Sequence, residues 1–61
     1  MILRHGDIVE SKGGKRYTVV RVIRRDDDND TFRLQSAEFG TIGRVWTADE
    51  LKRTGAHKVE R

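Results

Sequence analysis

Tyr17-Thr18-Val19-Val20-Arg21-Val22-Ile23-Arg24 is the stretch that decides the fold. Tyrosine, threonine and four β-branched apolar residues, with no helix former except arginine, predict a strand. Its alternation is imperfect. Tyr17, Val19 and Ile23 share one face with Arg21, while Thr18, Val20 and Val22 share the other with Arg24. A long strand that bends, with a bulge near Val20 or Arg21, would let it serve both sides of a small barrel.

Working outward, Ser11 to Lys15 holds the pair Gly13-Gly14, which permits a chain reversal. Before it, Met1 to Arg4 is a short apolar start, Gly6-Asp7 reads as a turn, and Ile8-Val9 as a short first strand. Beyond it, Arg25 to Asp30 forms a polar hairpin tip. Thr31 to Ala37 alternates, with Phe32 and Leu34 inward and Arg33 and Gln35 outward. Glu38 to Gly40 turns the chain, and Thr41 to Trp46 predicts a fourth strand with Ile42 and Trp46 in phase with Arg44. Thr47-Ala48-Asp49-Glu50 matches the capping box, Thr followed three residues later by Glu, so one helical turn is expected near Thr47 to Lys52. Leu51 would pin that turn to the core and Gly55 would end it. A last short strand is expected over His57 to Glu60, through Val59. These elements predict a single, mainly all-β domain over residues 1–61, a five-stranded SH3-like barrel with one helical turn.

A chain of 61 residues buries only about 60% of its unfolded surface. Without cysteine, and with only His5 and His57 as histidines, neither disulfides nor a structural metal support the core. Packing or a partner must do so. The longest apolar-dominated stretch, Tyr17 to Ile23, already contains Arg21, so neither a signal peptide nor a membrane span is expected. A cytoplasmic protein is the reading that follows, as a monomer or a homodimer.

Charge is distributed unevenly. Thirteen Lys and Arg face ten Asp and Glu, a net +3, but four of the acids cluster as Asp26, Asp27, Asp28 and Asp30. The remainder carries thirteen basic against six acidic side chains, a balance of +7. Such a field attracts nucleic acid or an acidic protein surface, and it also simply keeps a small domain soluble.

The segments Gly6-Asp7-Ile8-Val9, Gly13-Gly14 and Tyr17-Thr18-Val19-Val20, about a quarter of the chain, resemble the opening of KOW-type modules of ribosomal and transcription proteins. They also resemble small uncharacterised bacterial and phage proteins of the YodC-like kind. Trp46 followed by Leu51 is similar to the way such barrels close. Where KOW modules usually carry a further glycine before the second strand, this chain has Lys15, Arg16 and Tyr17. The resemblance implies the barrel fold more than an activity.

Catalytic and ligand motifs fail one by one. An EF-hand loop starting at Asp26 would need glycine and glutamate where Thr31 and Ala37 stand. Gly13-Gly14-Lys15 runs into a strand and lacks the spacing of a phosphate loop. Ser11 and Ser36 have no histidine or carboxylate in a known motif, and Asp49-Glu50 is explained by capping. A barrel this small is also expected to lack room for both a core and a ligand pocket of about 300 Å³. No enzyme activity and no cofactor are expected. What remains is a binding surface built from Arg16, Tyr17, Arg21, Arg24, Arg33, Arg44, Lys52 and Arg53, since arginine binds phosphate bidentately and stacks on bases. With exposed Tyr17, Phe39 or Trp46 beside them, these residues would suit DNA or RNA, single strands above all. Phe32 and Trp46 are expected to belong to the core. The alternative is a protein-interaction module or inhibitor that recognises an acidic or extended peptide, or pairs through an edge strand.

Overall fold

The computed structural model describes residues 2–27 and 29–59. The elements are β1 (Ile8–Glu10), β2 (Arg16–Ile23), β3 (Thr31–Ser36), β4 (Ile42–Thr47), α1 (Ala48–Arg53) and β5 (His57–Lys58). They form one antiparallel sheet in the order β4-β3-β2-β1-β5. The architecture is the mainly all-β, five-stranded, barrel-like fold with one short helix that the sequence predicts. Asp28, part of the predicted acidic tip, and Glu60, in the predicted last strand, lie outside the described residues.

The ambiguous alternation of β2 is resolved by the expected bulge. Val19 pairs with Leu34 and Arg21 with Arg33, so Val20 is the extra residue. One inserted residue moves everything beyond it to the opposite face. Tyr17, Val19 and Val22 therefore face the core together, and Arg21 and Ile23 join Thr18 on the outside. A second irregularity lies between β3 and β4. Arg33 pairs with Val45 but Gln35 with Ile42, so Leu34 faces both Gly43 and Arg44. This corrects the phase expected for β4, since Ile42 points away from the core at 57% exposure while Trp46 packs against it. The two bulges flank the same level of β3, Arg33–Leu34, from either side. Bending is thereby concentrated along one line, which curls the sheet around its inner face.

The core is Leu3, Val9, Val19, Phe32, Leu34, Ala48 and Leu51, with Tyr17, Val22, Trp46 and Ala56 packed against it. Leu3 is fully buried although it belongs to no strand. Its segment is fixed by the turn after it: the Asp7 N–H donates to the Arg4 carbonyl, the Arg4 N–H to Asp7 Oδ2, and the Gly6 N–H to the Val19 carbonyl. Gly6 has φ 91°, which favours glycine.

The helix begins as the sequence dictates. Thr47 Oγ1 accepts from the Glu50 N–H at 3.2 Å, and Glu50 Oε1 accepts from the Thr47 N–H at 3.1 Å. This reciprocal cap turns the chain straight out of β4, and Leu51 on the next turn reaches the core. The helix runs to Arg53, one residue past the expected turn, and Gly55 at φ 81° ends it. No helix among the described residues is long and apolar enough to cross a membrane.

Candidate functional site

The fold distributes the eight predicted site residues over several surfaces. Cross-strand partners share a face, and alternation along β2 and β3 sends Arg21 and Arg33 outward side by side. Both are exposed, and neither makes an ion pair or a side-chain hydrogen bond among the described residues. Directly opposed like charges destabilise a sheet. Around them the outward face presents Thr18 opposite Gln35 and Ile23 opposite Thr31. Arg16 stands further along β2 on this face, held to Glu10 of β1 at 3.0 Å. Glu10 in turn faces His57 of β5 at 3.6 Å, so Glu10 joins Arg16 and His57 across β2, β1 and β5 at this end of the outward face.

Arg24 is engaged elsewhere. It donates to Asp30 at 2.6 Å and to the Leu3 carbonyl at 3.1 Å, tying the N-terminal segment to the base of the β2–β3 hairpin. That guanidinium, with the Arg25 N–H, holds the Asp30 carboxyl below its ordinary range. Arg25 pairs with Asp27 at 3.6 Å, so the acidic tip is partly neutralised by its own flanks. Lys52 and Arg53 lie exposed on the last turn of α1, where cations suit the helix dipole.

Arg44 and Tyr17 are on the other side of the sheet. The Arg44 guanidinium lies over the Trp46 ring, 3.7 Å from its centroid, and its Nη2 contacts Glu50 at 3.2 Å. The Glu50 carboxyl is held below its ordinary range, first by the Thr47 N–H and then by this arginine. Beneath Arg44 opens a cleft of about 320 Å³, lined mainly by Tyr17, Leu34, Gly43, Trp46 and Leu51. Sequence reasoning excluded a pocket of this size. It exists because β4 and β5, the two edges of the sheet, do not pair, so the barrel stays open at its mouth.

The surface anticipated from the sequence, arginines interleaved with exposed aromatics, therefore divides in two. Among the described residues, the outward face has the unpaired Arg21 and Arg33 with no aromatic side chain beside them, while the mouth has Tyr17, Trp46 and one arginine, Arg44. Phe39 is 71% exposed but sits in the β3–β4 turn. The cleft is what sequence reasoning missed, and Gly43, a strand glycine with no turn to make, was the available signal. Comparison with known proteins adds no identity: no family model, no curated protein and no solved structure matches this chain.

Proposed function

We propose that this domain is a non-catalytic binding module whose outward sheet face, centred on Arg21 and Arg33, engages the phosphate backbone of nucleic acid. The juxtaposition of these two arginines carries the reading. Each guanidinium presents planar, permanently charged donors matched to phosphate oxygens, and an anion between them would relieve a repulsion built into the sheet. The basic balance outside the acidic tip supplies long-range attraction. With no aromatic beside the pair, the contact is to backbone and not to stacked bases, so little sequence preference is expected.

Fluorescence anisotropy with labelled single- and double-stranded DNA and RNA tests this. The logarithm of the association constant should fall linearly with log salt concentration. In R21Q/R33Q the slope should drop by about two, one for each lost phosphate contact. Absence of binding to every oligonucleotide at low salt, with the protein folded by circular dichroism, overturns the proposal.

A further inference from the structure

The cleft at the barrel mouth is a second surface, independent of the nucleic-acid reading. Its position is set by the fold: Val9 of β1, Tyr17 of β2, Leu34 of β3, Trp46 of β4, Leu51 of α1 and Thr54 just after it line the cleft together. At about 320 Å³ it falls within the range of genuine binding clefts and is large enough for a bulky apolar side chain.

Gly43 is the informative residue. A glycine inside a strand costs stability and needs a reason. Gly43 has no positive φ, and a Cβ built on it meets no atom within 4 Å. Neither backbone conformation nor internal crowding therefore requires glycine there. What its missing side chain does leave is open space on the rim of the cleft, along a strand whose other edge has no partner in the sheet. Strand glycines mark places where another backbone comes close.

The rim carries one cation, Arg44, among the residues that line the cleft. Arg44 contacts one carboxylate, Glu50, through Nη2, leaving its other N–H donors without a partner among the described residues. The lining is mainly apolar, with aliphatic side chains beside the Tyr17 and Trp46 rings, and its hydroxyls are those of Ser11, Tyr17 and Thr54. An apolar lining, an open strand glycine on an unpaired strand edge and an arginine on the rim together favour a peptide over a base.

We infer that the mouth binds a short extended segment of a partner protein, placing one bulky apolar side chain in the cleft beside Trp46 and an adjacent acidic side chain against Arg44. The backbone of that segment passes over Gly43.

Trp46 is the only tryptophan, so its fluorescence and indole N–H resonance report the cleft directly. The probes are the blocked peptides Glu-Leu-Phe-Asp and Lys-Leu-Phe-Lys, and octathymidylate. The acidic peptide should saturate the Trp46 signal and bind at least about tenfold more tightly than the basic one. Gly43→Leu should abolish this binding with an unchanged circular dichroism spectrum. Arg44→Gln, at an exposed position, should narrow the preference for the acidic peptide severalfold while leaving the domain folded. The inference is overturned if the acidic peptide leaves Trp46 unmoved, if both peptides bind equally, or if folded Gly43→Leu binds like the parent chain. Saturation of the Trp46 signal by octathymidylate alone would assign the cleft to a base and also overturn it. Binding of oligonucleotide without any change at Trp46 belongs to the outward face and leaves the peptide site intact.

Discussion

At the scale of single residues, the chain sets stability against binding. Arg21 and Arg33 could each be replaced by threonine, a better strand residue that would remove the like-charge opposition. Arg21→Thr is expected to raise stability by a few tenths to about 1 kcal/mol. In a domain of this size that corresponds to a melting temperature higher by several degrees. The same variant should bind oligonucleotide more weakly. A lower melting temperature for Arg21→Thr would show that the pair is not repulsive in the folded protein. The second residue-scale case is Thr47, whose hydroxyl caps α1. Thr47→Ala should cost about 1 kcal/mol, read as a lower midpoint in urea. Much of this was legible beforehand. The capping box could be read directly from Thr47 and Glu50, because both partners lie within one turn and no distant residue is needed. The pairing of Arg21 with Arg33 could not, since it depends on the register between two strands.

At the scale of elements, the Val20 bulge decides which side chains meet. Without it, Arg21 would take the inward position and Val22 the outward one. Deletion of Val20 itself would keep Val19 opposite Leu34 and Arg21 opposite Arg33, so every side chain keeps its face and only the bend is lost. That variant is expected to keep dispersed amide resonances at a lower melting temperature, whereas deletion of Gly13, in the β1–β2 turn, should be milder because it leaves the curvature of the sheet untouched. Equal effects of the two deletions would refute this account. The bulge in β2 was anticipated because its apolar residues break alternation at a definite point. The β4 irregularity was not, since Ile42-Gly43-Arg44-Val45-Trp46 contains a plausible alternating pattern that the observed pairing overrides. For the same reason the cleft was unforeseen: its lining comes from β1, β2, β3, β4 and α1, which only the curled sheet brings together.

At the scale of the whole molecule, three carboxylates bear on stability. Asp7 is held below its ordinary range mainly by the Arg4 N–H, Asp30 by Arg24, and Glu50 by the Thr47 N–H. Each is depressed in the folded state, so its contribution is fully present above the unfolded value, about 4, and is lost as pH falls through the lower folded value. Melting temperature should change little between about pH 7 and 5 and decline below about 4. A constant melting temperature down to about pH 3 would show that these contacts contribute nothing. The charge asymmetry was visible in the sequence. What the sequence hid was its division, with Arg24 and Arg25 spent on the acidic tip, Arg16 on Glu10, and Arg21 and Arg33 left over.

The burial of Leu3 beside the fold's later elements has a consequence for synthesis. Leu3, from the first residues of the chain, shares one core with Leu51 of α1, and β1 pairs with β5. No leading fragment of this domain owns a complete core, so during synthesis the domain has no stable core until the helix has emerged. It then folds as one unit, a run of neighbouring hairpins closed by the distant β1–β5 pairing.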